Sequence, residues 1–206
     1  GGRAEAVRGA DRAGRDGGEG SCLTFYSAKD LKKLEKFTQG KPMSEQEIGK
    51  HLLQETAGYA ESSVCRRKTL RHYFGEEYPK ENCGNCDNCL NPKKKVDAQE
   101  DFLAVIETIM ALKEKFKAEH IIDVLVGRET NDVKTYKHNE LEVFGCFQST
   151  YRKFLNSVIR QAILSGYLEQ DIENLGQIRL TDKGKKYFKK PTPFKIVEDN
   201  DFADTE

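Results

Sequence analysis

Four cysteines constrain this chain more than any other feature. Cys65, Cys83, Cys86 and Cys89 follow the spacing C-x17-C-x2-C-x2-C. Two residues between cysteines let a tight turn carry both sulfurs to one ion, and Gly84 supplies the backbone freedom that such a turn needs. Thiolates suit zinc, which takes four ligands in a tetrahedron. Cys65 is expected in the first turn of a helix, where the positive end of the helix dipole favours a thiolate. Arg66, Arg67 and Lys68 beside it would offset part of the charge of a four-thiolate site. With every position filled by protein, no place is left for a reacting water, so the expected ion is structural and not catalytic. Three other readings compete. Ordinary reduced surface cysteines fit poorly with three of them inside seven residues. A thiol oxidoreductase would set its CxxC in a βαβ pattern, which these flanks lack. An iron–sulfur cluster stays open on spacing alone. The four histidines are scattered, and His72, the one near the cysteines, reads as a helix-surface residue.

The remaining chain is polar and balanced, with 37% hydrophobic and 33% charged residues in 206. That length allows one large domain or two small ones, each with a core. No apolar run approaches the roughly 20 residues that cross a bilayer. The start of the chain shows no signal-peptide pattern. A cytoplasmic protein is therefore expected, and in that compartment clustered cysteines point to metal and not to disulfides. Net charge is zero, but Glu198–Glu206 holds five acids and no base, leaving the rest mildly basic. That is compatible with nucleic acid without requiring it.

Residues 1–20 are mostly Gly, Arg, Ala, Asp and Glu, a composition that builds no core by itself. Cys22–Tyr26 reads as a short strand, the last of a domain whose body lies elsewhere. Ser27-Ala-Lys-Asp30 and Ser44-Glu-Gln-Glu47 have capping-box spacing and open two helices, the second running to about Tyr59. A third helix is expected from Ser63 to Phe74, followed by a turn-rich stretch with three of the cysteines and a solvated linker at Lys93–Lys95. From about Ala98 the pattern changes. Phe102, Val105, Ile106, Ile109, Leu112 and Phe116 recur at helical period. A shorter helix spans Ala118–Val126. Residues 127–147 read as irregular, with alternation around Leu141-Glu-Val143. An amphipathic helix covers Arg152–Ser165. Tyr167–Ile172 and Gln177–Leu180 then form a hairpin signal, and Thr181 caps a basic helix to about Lys190. Three helices followed by a hairpin is the order of a winged helix. The expected fold is mainly α with small β (α+β): a helical zinc-binding module at 27–95, a winged-helix domain at 98–196, and an acidic tail or linker at 197–206.

Tyr59-Ala-Glu-Ser-Ser-Val-Cys65-Arg-Arg, Tyr73-Phe-Gly-Glu and Cys83-Gly-Asn-Cys86-Asp-Asn-Cys89 together resemble the zinc module of bacterial RecQ helicases. His138-Asn-Glu-Leu-Glu-Val-Phe-Gly145, Val158-Ile-Arg-Gln161 and Gly166-Tyr-Leu168 resemble their winged-helix domain. The likeness runs from about residue 11 to 196. It implies the C-terminal part of an ATP-dependent helicase that unwinds DNA 3′ to 5′ in recombination and repair. ATP and Mg2+ would then serve the motor domains of the whole protein, and residues 1–26 would be the remnant of the second motor. The resemblance further implies a nucleoid-associated monomer whose partners are duplex DNA, single-strand junctions and single-stranded DNA-binding protein. Arg12-Ala-Gly-Arg15-Asp-Gly resembles helicase motif VI, giving Arg12 and Arg15 the role of arginines that stabilise charge in phosphoryl transfer. The motif departs upstream, where the family's Gln and Gly positions hold Arg8 and Asp11. In the winged helix, Arg152, Lys153 and Arg160 of the third helix and Asn174, Leu175 and Arg179 of the wing are the candidate DNA contacts. Lys183, Lys185, Lys186, Lys189 and Lys190 form the densest basic run. A stand-alone zinc and winged-helix regulator, or a protein-docking module, are the competing readings.

The 206 residues contain no GxxxxGK[ST] phosphate loop. The purified chain is expected to release no phosphate from ATP, with or without DNA, in a phosphate-release assay; DNA-stimulated turnover would contradict this.

Overall fold

The structure is a computed structural model and describes residues 16–202. Arg12 and Arg15 lie outside the described residues. The chain first builds a helical module: α1 (Ala28–Lys36), α2 (Met43–Glu61), α3 (Arg66–Tyr73) and the single turn α4 (Asp87–Leu90). Ser27 caps α1, accepting from the Lys29 N–H at 3.2 Å, as its capping-box spacing predicts. The second capping box does not form. Helix α2 starts one residue before Ser44, and the Pro42 carbonyl accepts from Glu45 and Gln46 instead. Proline already holds the φ that a helix entry needs, so it displaces the cap. Helix α3 also starts later than expected: Ser62 to Cys65 stay non-helical, with Cys65 as the N-cap.

Cys22–Tyr26 is not a strand, and Leu23 and Phe25 are 80% and 88% exposed. An apolar run becomes a strand only when a neighbour takes its hydrogen bonds, and among the described residues none does.

The second unit is the winged helix. Strand β1 (Lys95–Asp97) leads into α5 (Gln99–Ala111), α6 (Ala118–Leu125) and α7 (Asn131–Thr135). Two 3-10 turns (His138–Glu140, Ser149–Tyr151) precede α8 (Arg152–Leu164). The wing strands β2 (Leu168–Asp171) and β3 (Gln177–Leu180) follow, then α9 (Asp182–Lys189) and β4 (Lys195–Val197). Strand β1 pairs antiparallel with β4, Val96 opposite Ile196. This small sheet was not expected. The lysines before it read as linker because a three-residue strand shows too little alternation to see. It brings the two ends of the domain together.

The core fills as the apolar periodicity predicts. Phe102, Val105, Ile106 and Ile109 of α5 meet Leu155, Val158 and Ile159 of α8, with Ile121, Ile122 and Leu125 of α6 beneath. Phe102 is fully buried, and its ring centroid lies 5.6, 5.0 and 4.5 Å from those of Tyr167, Tyr187 and Phe194. One side chain thus joins α5 to the wing entry, to α9 and to the approach to β4. Burying such a ring stabilises by about 1.5–3 kcal/mol before any cavity cost is counted.

Residues 127–147 are more ordered than their sequence shows. Thr130 caps α7, and the Leu141–Val143 alternation forms no strand. The Gly145 and Phe147 N–H groups donate to the Val124 and Leu125 carbonyls at the end of α6. Gly127 has φ +70°, and a Cβ there would come within 3.0 Å of Gly145 Cα. The two glycines let the loop close onto the helix end.

This loop also brings the half-buried His138 against the buried His120 of α6. His120 Nε2 and His138 Nδ1 are 2.8 Å apart. Phe116 stacks on His120 at 4.3 Å, and Tyr136 stacks on His138 at 5.5 Å. Burial lowers the pKa of both rings, and their mutual repulsion lowers His120 further. Depressed folded-state values mean that folding favours neutral rings. Their contribution is full above the ordinary histidine value of about 6.5 and is lost as pH falls through the depressed values. Melting temperature should therefore drop more steeply from pH 7 to pH 5 in the wild type than in His120→Phe/His138→Phe. Equal slopes in the two proteins would refute this.

Candidate metal centre and nucleic-acid interface

The sulfurs of Cys65, Cys83, Cys86 and Cys89 all lie within 4.8 Å of one another. Four thiolates on one zinc at about 2.3 Å would sit about 3.8 Å apart, and Cys83 Sγ and Cys89 Sγ are 3.9 Å apart. The set is assembled from two places. Cys65 is 4% exposed at the N-cap of α3, not within its first turn as expected. The other three come from the turns around α4, which Gly84 enters with φ +68°. Backbone N–H groups point at the sulfurs: Arg66 N–H to Cys86 and Cys83 N–H to Cys89, both at 3.4 Å. Such donors are the usual second layer of a thiolate site.

The electrostatics favour a cation here. Backbone N–H groups of Asn85 and Cys86 help pull the Cys83 thiol down to about 6, while burial pushes Cys89 up. Four sulfurs this close cannot all ionise without a positive charge among them. Arg66 does not supply it. Its guanidinium makes a two-pronged pair with Asp87 (3.0 and 2.9 Å) and donates to the Tyr59 and Ala60 carbonyls. Arg66 therefore fastens the cysteine loop to the end of α2, and it holds the Asp87 carboxyl below its ordinary range. His72 is exposed on α3.

A buried amide that sequence reasoning missed completes the loop. Asn88, between Cys86 and Cys89, is 7% exposed, and its Nδ2 donates to the Ser62 and Val64 carbonyls at 2.8 and 2.7 Å. The backbone leading into Cys65 is thus hydrogen-bonded to the loop that carries the other three cysteines. Asparagine is common in turns, so nothing in the sequence marked this one as buried.

The basic candidates of the third helix are engaged. Arg152 pairs with buried Asp123. Lys153 reaches Asp201 at 3.5 Å, and Arg160 pairs with Asp199 at 3.1 Å. In the wing, Arg179 pairs with Asp171 at 2.9 Å. Asn174 shapes the turn by donating its N–H and Nδ2 to the Asp171 carboxylate at 3.1 and 2.7 Å. Leu175 sits at φ +58°, 73% exposed. Ile172, expected to end the strand, lies instead in the turn and is 69% exposed. The wing tip thus presents two bare apolar side chains where one was expected. In the basic run, Lys183 is occupied by the Ser165 carbonyl and the Tyr167 ring. Lys185, Lys186, Lys189 and Lys190 are exposed on and just after α9.

Comparison with known proteins agrees with both units. Residues 28–90 match the family model described as RecQ zinc-binding, and residues 92–204 match that of the RQC domain. The ATP-dependent DNA helicase RecQ of Haemophilus influenzae is 35% identical over 188 residues, covering 90% of this chain and 30% of that protein. The protein of the same name from Pasteurella multocida is 34% identical over the same shares. ATP-dependent helicase SGS1 of Saccharomyces cerevisiae is 28% identical over 77% of this chain and 12% of its own length. The chain spans under a third of the length of these relatives. Two adjoining matches that between them span nearly all the described residues show that the chain belongs to the RecQ family, of which it carries a zinc-binding module followed by an RQC domain.

Proposed function

We propose that Cys65, Cys83, Cys86 and Cys89 hold one structural zinc ion, and that this chain serves a 3′ to 5′ ATP-dependent DNA helicase of recombination and repair by holding duplex DNA at the junction being opened. The convergence of four sulfurs within 4.8 Å, on a segment that matches a zinc-binding family, carries the proposal. Zinc when bound supplies four bonds that fix the loop, and no chemical step passes through it. ATP and Mg2+, and any arginine role for Arg12 and Arg15, belong to the motor domains of the whole protein in this reading. So do docking of single-stranded DNA-binding protein and action as a cytoplasmic, nucleoid-associated monomer.

For DNA, the free cations of α9 are better placed to meet phosphate than those of α8, whose pairs would first have to break. The wing beside them offers Ile172 and Leu175 as an apolar edge against a base step, the use to which exposed wedges are put in other DNA-bending proteins. Arg179 and Asn174 support that edge by fixing the turn through Asp171.

Two measurements test this. Metal analysis of the purified chain should give one zinc per chain. Cys86→Ser should lose it and unfold the 62–92 region, whereas iron with visible absorbance would sink the zinc assignment. Duplex binding titrated against salt should show a steep log–log slope, lowered by about one for each phosphate contact removed in Lys185→Ala, Lys186→Ala and Lys189→Ala. An unchanged slope in the triple variant would move the phosphate contacts off α9.

A further inference from the structure

The five residues after β4 were expected to be a tail or linker, yet they are hydrogen-bonded back to the helical module. The Asn200 N–H donates to the Glu61 carbonyl at the end of α2 at 2.6 Å. Asn200 Nδ2 reaches the Ser62 carbonyl at 3.2 Å and Asn88 Oδ1 at 3.1 Å. The Ser63 hydroxyl donates to the Glu198 carbonyl, and Lys93 to that of Asp199 at 2.7 Å. The Asp199 side chain is 3% exposed and pairs with Arg160 of α8. Its other oxygen, Oδ1, is buried without a hydrogen-bond partner. Phe202 meets the ring of Tyr26 edge-on at 5.8 Å, and Tyr26 donates to Glu61 at 2.6 Å. The Arg160 guanidinium lies so close across α2 that a Cβ at Gly58 would come within 3.0 Å of its Nε.

We propose that Glu198–Phe202 is a strap that locks the winged helix onto the zinc module, and that Asn88 makes its closure depend on the metal. The inference rests on the zinc assignment above. Asn88 sits between two of the four sulfurs, so its side chain is aimed only while the cysteine loop is held. That side chain supports the Ser62 and Val64 carbonyls on one side and Asn200 on the other. Removing the ion frees the loop, then the amide, then the strap. Arg160 and Asp199 lose their alignment together, because the buried Asp199 carboxylate has Arg160 as its ion-pair partner. The other seam between the two units, Lys50–Glu119 at 3.2 Å and Glu47–Lys117 at 3.3 Å, is about half exposed and contributes little in its place. Metal occupancy therefore sets the orientation of the wing relative to the zinc module.

Hydrogen exchange, read residue by residue on the full 206-residue chain with zinc content measured in parallel, tests the strap. In the zinc-loaded wild type the amide of Asn200, which donates to the Glu61 carbonyl, should exchange slowly. Chelation should raise its rate at least tenfold, while Val105, Ile109 and Val158 in the winged-helix core stay protected. Asn200→Ala should raise the rate of the residue 200 amide in the same way while keeping one zinc per chain. If zinc leaves on chelation and residue 200 stays slow, the coupling is wrong. If Asn200→Ala leaves the rate at its wild-type value, the strap is wrong. A chain that binds no zinc at all fails the metal assignment itself, and Asn200→Ala then still decides whether the strap exists.

Discussion

Before Ala98, Cys65 is the only buried hydrophobic side chain among the described residues, whereas the winged helix behind it buries a continuous core. A segment of this size without a core cannot offset the entropy of ordering its backbone. Something other than apolar burial must hold it, and in the reading proposed above that is a metal ion bound by the converging sulfurs. The hydrogen bonds around them follow from the same need. Arg66, Asn88, Ser62 and Ser63 are polar groups tied to backbone, filling the role that leucines fill elsewhere.

The winged helix shows the opposite economy. Its helices are aligned by Phe102 and the apolar faces of α5, α6 and α8, and its ends are closed by the β1–β4 pair. Its edges carry the exposed features: a short wing with two bare apolar residues, and Lys185, Lys186 and Lys189 of α9. Between the two units lies a polar seam. There Arg160, a residue that looks like a phosphate contact in sequence, pairs with the buried Asp199 carboxylate. A cation on a helix face is legible as charge, but whether it meets solvent, a phosphate or an aspartate 39 residues away is decided by packing.

The expectations that failed share a cause. Cys22–Tyr26 has strand propensity, but no partner strand lies within the described residues. Lys95–Asp97 has little propensity but does have a partner, at Lys195–Val197. Pairing, which is long-range, outweighed local preference in both. Ser44 lost its capping role to Pro42 for a local reason, a fixed φ two residues earlier. Residues 198–202 read as tail because their acids suggested solvent, and neither the buried Asp199 side chain nor the half-buried Asn200 gave a sign in composition.

The sequence by itself determined the spacing of the four cysteines, the family resemblance, the order of helices and hairpin, and which apolar residues enter the core. Each is set by short-range periodicity or by motif, which a single chain displays openly. The tertiary structure alone decided that Asn88 and Asn200 meet, that Arg160 pairs with Asp199, that Ile172 joins Leu175 at the wing tip, and that Glu198–Phe202 folds back onto the helical module. These depend on contacts between residues far apart in sequence, and no local pattern records such contacts.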